Sequence, residues 1–242
     1  MRPLWKTFLA ALVVVPAALH GQEFSSRSSL MFRGTIVTSS RVFDNPDAPV
    51  GEDRDHFDFV DNLLGGGLEY RLIFPQQDLF LSLSVEYLAR ITSSAQSVLV
   101  NNVVQQLPIE QGVRFIPVEL GVNTSVPIIG DDGTLVMGGG FGAYYADRVF
   151  GIAGVRMKSK NLPVGYGLHI ESGFEYRISE RVALSWEMRF RDPEVINESE
   201  FGTSVINVGS YQVSVDNIPP KTKVNVHGVS FTLGVVLALG SS

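Results

Sequence analysis

Acid, base and nucleophile chemistry in this chain falls to its histidines, serines and carboxylates, because its 242 residues include four His and no Cys. A hydrolase needs a nucleophile, a base and an orienting acid that converge on one point. His227 and Ser230 are close in sequence, but an offset of three in extended chain sends their side chains to opposite faces. His169 shares a face with Glu171, as an oriented base would, yet no serine joins them, so no catalytic residue is assigned. The segment DNPDAPVGEDRDHFDFVD gathers Asp44, Asp47, Glu52, Asp53, Asp55, Asp58 and Asp61 against Arg54. Such density can hold Ca²⁺ or bridge through divalent ions to a phosphorylated surface, but the glycine and terminal glutamate of an EF-hand loop are missing. It reads as a solvated acidic loop, and neither metal nor cofactor is expected. GGGFG at 138–142 keeps a strand period and opens no helix, so it is not a phosphate cradle. NTS at 123 and NES at 197 are matches of the short kind that arise by chance.

The elements that carry these residues show period two. From Leu79, LFLSLSVEYLAR sets Leu79, Leu81, Leu83, Val85 and Tyr87 against Phe80, Ser82, Ser84, Glu86, Leu88 and Arg90, with Phe80 and Leu88 breaking the pattern. VGYGLHIESGFEYRI alternates in the same way. Further strands are expected near 30–43, 60–74, 112–126, 135–147, 182–191 and 223–239, making eight. TSVINVGSYQVSV at 203–215 offers another hairpin, which leaves ten open. Connections alternate between long (44–59, 94–111, 148–162, 192–222) and short (75–78, 127–134, 179–181). An up-and-down meander therefore puts every long loop at one end.

The chain is 45% hydrophobic and 18% charged, too apolar for disorder and long enough for one sizeable domain. Arg2 and Lys6 precede an apolar run from Phe8 to Leu19, with Gly21 before Gln22, the layout of a secretory signal peptide over residues 1–22. Residues 23–242 then form the folded domain. Net charge is -6, or -6 - 2 = -8 without the leader's two cations, so nucleic acid is excluded as a partner.

GGGLEYRL at 65–72, GGGFGAYY at 138–145, GYGLHIESGFEYRI at 165–178 and GVSFTLGVVLAL at 228–239, with the loop asymmetry, resemble the small bacterial outer-membrane β-barrels. The porin-like, eight-stranded kind is represented by the barrels of outer-membrane proteins A and W. Two departures stand out: the last strand ends on Leu239 and GSS rather than an aromatic residue, and no peptidoglycan-binding domain follows. The resemblance implies an all-β, antiparallel, up-and-down transmembrane barrel in the outer membrane of a Gram-negative bacterium, with both termini periplasmic and the long loops extracellular. It also implies contact with outer-membrane lipid and lipopolysaccharide, handling by the barrel-insertion machinery, and a monomer. Some such barrels modify lipid A; the histidines above give that activity no nucleophile.

Alternation alone does not say which face meets lipid, since a soluble ligand-binding barrel of the periplasm has the same period with its apolar face inward. Lysine usage favours the membrane barrel, with the soluble barrel kept as a second alternative: Lys158, Lys160, Lys221 and Lys223 all fall in or beside long loops, while strand interiors use Arg and Glu almost exclusively. A narrow lumen favours Arg, whose planar fork pairs with carboxylates where water is scarce. The expected lumen set is Arg33, Arg41, Glu69, Arg71, Glu86, Arg90, Glu119, Glu171, Glu175, Arg177, Glu187, Arg189 and Arg191. Near balance of sign predicts a closed, ion-paired interior and a structural or surface-interaction role; a narrow passive channel or hydrophobic-solute conduit is the alternative.

Overall fold

The computed structural model describes residues 27–74, 78–100, 103–130, 132–209, 211–215 and 221–239. The expected leader lies outside them. Eight strands make the wall: β1 (Arg27–Val37), β4 (Leu63–Phe74), β5 (Leu79–Val100), β6 (Val103–Ile129), β7 (Gly133–Ile152), β10 (Val164–Ser179), β11 (Val182–Arg191) and β16 (Val229–Leu239). Each pairs antiparallel with its sequence neighbour in the wall, from β1–β4 round to β11–β16. The ring shuts where β1 meets β16, from Ser28 opposite Leu239 to Val37 opposite Ser230. Closure removes the free edges that an open sheet would leave unbonded in lipid.

Burial follows the alternation. On the outer face Leu68, Leu120, Phe141, Tyr166, Leu168, Ile170, Leu184, Trp186, Phe190 and Leu233 are exposed, Leu168 at 74% and Leu233 at 68%. An exposed apolar belt of this extent on a folded wall marks a surface that meets lipid or another apolar partner. No described helix is long and apolar enough to cross a membrane.

Two expected loops are instead continuations of the wall. β5 and β6 stay paired out to Val100 and Val103, so most of 94–111 is a two-stranded ribbon, and β7 runs on to Ile152 before turning at Ala153 and Gly154, both with positive φ. Segments from the loops and from the outer ends of the expected strands 30–43 and 223–239 build a second, five-stranded sheet in the order β3 (Phe57–Phe59), β2 (Arg41–Phe43), β15 (Lys221–Asn225), β12 (Glu194–Glu200) and β9 (Lys158–Ser159). A short helix, α1 (Gly51–Asp55), precedes β3. The further hairpin exists as β13 (Val205–Val208) and β14 (Tyr211–Ser214), but it pairs only with itself, so the wall has eight strands and not ten. It packs Ile206, Val208, Val213 and Val215 onto Leu107 of the ribbon and Ile152 at the end of β7. Arg156 of β8 (Val155–Arg156) clasps Glu110 bidentately, Nε and Nη2 each 2.6 Å from a carboxylate oxygen, and these hydrogen bonds hold Glu110 below the ordinary carboxylate range.

Candidate functional site: an ion-paired lumen under an apolar cap

Strand register gives most of the inward charges their room by setting them against a small residue on a neighbouring strand. Arg33 lies opposite Gly67 and Gly234, Glu86 opposite Gly67, Glu119 opposite Ser84 and Gly142, Glu171 opposite Gly138, and Glu187 opposite Gly173. A Cβ at Gly142 would come within 2.6 Å of the Tyr144 ring and 2.9 Å of Glu119 Cγ. A Cβ at Gly67 would come within 2.2 Å of the Val85 carbonyl oxygen. The glycine-rich runs in the sequence are thus the space into which long side chains fold.

Arg189 is the centre of the cluster. Its guanidinium contacts Glu119 and Glu171, lies 3.3 Å from Glu69 and 3.5 Å from Glu86, and reaches Glu187 at 3.7 Å. Arg33 donates to Glu69 Oε2 at 2.8 Å and to Glu187. Arg71 donates to Glu69 Oε1 at 2.6 Å, to Glu187 Oε1 at 2.9 Å and to Glu175. Arg191 lies 3.2 Å from Glu86 and 3.3 Å from Glu119. These four arginines and Glu69, Glu86, Glu119, Glu171 and Glu187 are buried; Glu175 is half-buried at the short-turn end. The pairs tie together β1, β4, β5, β6, β10 and β11 across the cylinder, and the planar guanidinium, with several donors in one fork, suits such bridging.

Three of the thirteen expected lumen charges lie elsewhere. Arg41 sits on β2 in the loop sheet, its guanidinium 4.7 Å from the centre of the Phe57 ring and 5.8 Å from that of Phe59. Arg90 keeps the inward parity of β5 but stands above the network and is exposed, and Arg177 is exposed near the short-turn end. Parity fixes a side chain's face, not its height along the barrel. The acidic segment does not converge either: Asp44 pairs with Arg148 at 2.7 Å, Asp47 with Lys221, and Asp55 with Arg54 at 3.6 Å, while Glu52, Asp58 and Asp61 are exposed. Asp53 belongs to α1, and its side chain lies outside what is described. Among the described residues no three His, Asp or Glu side chains are placed to share a metal ion.

His169 is buried, its Nδ1 3.8 Å from Glu119, while its expected partner Glu171 is taken by Arg189. Tyr144, which sequence reasoning passed over, donates to Glu119 Oε1 at 2.9 Å. Its signal was there, as the next inward position after Gly138, Gly140 and Gly142. Also unforeseen is the apolar cap above the ions. Phe115 stacks on Tyr144 with centroids 5.7 Å apart, and Val37, Leu63, Leu88, Val113, Val195, Val224 and Val226 close over them. Val195 and Val224 come from the loop sheet, so that sheet packs on the mouth of the barrel.

Among solved structures the chain is similar to Ail, the attachment invasion locus protein of Yersinia pestis, at 15% identity over 88% of this chain and 99% of that one, with a TM-score of 0.45. It is similar to Neisserial surface protein A at 8% identity, covering 87% and 96% of the two chains, TM-score 0.45. With the outer membrane protease OmpT of Escherichia coli the identity is 10%, the coverage 88% and 96%, and the TM-score 0.37. No protein-family model and no curated protein matches the chain. With a wall shut by its own hydrogen bonds, apolar outside and ion-paired within, the chain has the eight-stranded architecture of the small outer-membrane β-barrels.

Proposed function

We propose that this chain is a closed outer-membrane barrel whose role is structural and surface-interacting rather than conductive or catalytic. The supporting observation is the double obstruction of the lumen, by the Arg/Glu cluster around Arg189 and by the apolar cap beneath the loop sheet. Buried charges with several partners do not move aside cheaply, and the apolar layer above them resists wetting. In this reading residues 1–22 are a removed leader and 23–242 the barrel domain. Both termini lie in the periplasm and the loop sheet faces outward. The outer belt meets lipid and lipopolysaccharide, the barrel is a monomer, and insertion runs through the cell's barrel-insertion machinery.

A non-catalytic role fits the state of the best acid–base candidates: Glu171 is neutralised by Arg189, and His169 is enclosed in the lumen away from any substrate path. The test is electrical. In planar bilayers the parent is expected to show little or rare conductance, and Glu86→Ala or Arg189→Ala to raise the opening frequency. A large, steady conductance in the parent, indifferent to both substitutions, overturns the closed reading and favours the passive channel.

A further inference from the structure

Beside the apolar cap, between the loop sheet and the extensions of β5 and β6, lies a cavity of about 380 Å³, at the lower end of the roughly 300–1,000 Å³ typical of small-molecule sites. Its two walls are held separately. On the loop side, Val60 exchanges backbone hydrogen bonds with Ser40 at 3.0 and 3.1 Å, takes a third from Ser40 Oγ at 2.8 Å, and Asn62, at φ 57°, donates to Thr38. This fixes Asp58, Phe59 and Asp61 along one wall. On the strand side Arg90 and Thr92 are held by the β5–β6 register, opposite Val113 and Gln111.

The charges on these walls are opposite in sign and do not meet. Among the described residues the Arg90 side chain has no ion-pair or hydrogen-bond partner, and neither has the carboxylate of Asp58 or Asp61. The cavity's other guanidinium, Arg148, is committed to Asp44 at 2.7 Å. Phe59, 61% exposed, has the Arg41 guanidinium 5.8 Å from its ring centre and Phe57 edge-on beside it, and presents the rest of its ring beside the carboxylates.

This arrangement selects by sign. A simple anion drawn to Arg90 meets two carboxylates, and a metal cation drawn to those carboxylates meets two guanidiniums; like charge at close range is the usual device for rejecting a wrong partner. A neutral solute leaves both sets unanswered. We infer that the cavity binds a small zwitterion, its oxyanion on Arg90 and its ammonium between Asp58, Asp61 and the Phe59 ring. A guanidinium grips carboxylate or phosphate with two parallel hydrogen bonds, and an aromatic face with carboxylates nearby suits an ammonium. The chemistry is that of a free amino acid or peptide and equally of a phosphoethanolamine headgroup. The site does not depend on whether the lumen conducts.

The test uses the full chain refolded in a non-ionic maltoside, so that no detergent headgroup competes. Backbone amide resonances are followed during titration with glycylglycine, O-phosphoethanolamine, ethylamine and acetate. Saturable shifts are expected at residues 58–62, 90–92 and 111–112 with one or both zwitterions, with Arg90→Ala and the double variant Asp58→Asn/Asp61→Asn each weakening binding at least tenfold. A Ser97→Ala control on the same ribbon should bind as the parent does, and heat-modifiable gel migration should show all variants folded. Saturation by O-phosphoethanolamine alone supports the site as a reader of phosphate headgroups, and by glycylglycine alone as a reader of amino acids or peptides. Absence of saturable shifts with both zwitterions, equal binding of ethylamine or acetate, or an unchanged affinity in folded Arg90→Ala overturns it.

Discussion

At the residue scale the barrel is governed by Arg189, a single cation that serves five glutamates. Removing it leaves Glu69, Glu86, Glu119, Glu171 and Glu187 crowded and short of counter-charge. Arg189→Ala is expected to cost roughly 3–5 kcal/mol, the usual loss when one partner of a buried ion pair is deleted. Urea-induced unfolding in lipid vesicles, followed by Trp186 fluorescence, measures it; a loss below about 1 kcal/mol would mean that water, not arginine, compensates these carboxylates. Arg189→Lys should recover only part, since an ammonium cannot offer a planar fork to several carboxylates. Gly142 gives the complementary case. A valine there collides with the Tyr144 ring and Glu119, and overpacking costs typically 1–3 kcal/mol. The same unfolding curves should show that loss, with recovery when Tyr144→Ala is added.

The elements divide according to what lipid demands of them. Leu184 and Leu233 lie on the exposed outer face, opposite Val235 and Trp186 of adjoining strands, where Arg should cost about 2–4 kcal/mol near the midplane. Wild-type stability of both variants in bilayers would remove lipid from this face. The hairpin β13–β14 shares no strand pairing with the wall, which it meets through apolar packing and the Tyr211 hydroxyl donating to the Gln106 carbonyl at 3.4 Å, so deleting 203–215 should leave heat-modifiable migration intact. Alternation made the wall legible in the sequence because each strand is apolar on one side only, and the same parity placed Glu69, Glu119 and Arg189 inside. It gave no warning of the β5–β6 ribbon: Arg90 to Ser97 are exposed on both faces, so no force imposes a period there. The loop sheet was hidden for another reason, since Arg41–Phe43 finds Lys223–Asn225, far along the chain, and nothing local encodes that meeting. Leu88 and Phe80 looked like lapses in the pattern; Leu88 belongs to the cap, and Phe80 lies inside with the Arg71 guanidinium 4.9 Å from its ring centre.

For the molecule as a whole, an even number of wall strands returns the chain to its starting side, with Ser28 beside Leu239. Protease added to intact cells is therefore expected to cut within 44–59 or 192–222 and to spare 75–78. Surface labelling of a cysteine placed at Gln76, with none at Asp55, would reverse the orientation.

The seam between β1 and β16 also sets an order of events. Every other seam of the wall joins strands consecutive around the meander, whereas this one joins the first to the last. The entropy of closing so long a loop grows only slowly with length, so the seam is affordable at equilibrium; the delay is kinetic, because contacts distant in sequence form late. Until β16 arrives, β11 has no bridge to β1, and Arg33 waits for Glu187 as Glu69 waits for Arg189. A folding wall that is still open at this seam therefore carries its inward ions half-compensated, and the step that seals the wall is also the step that neutralises its contents.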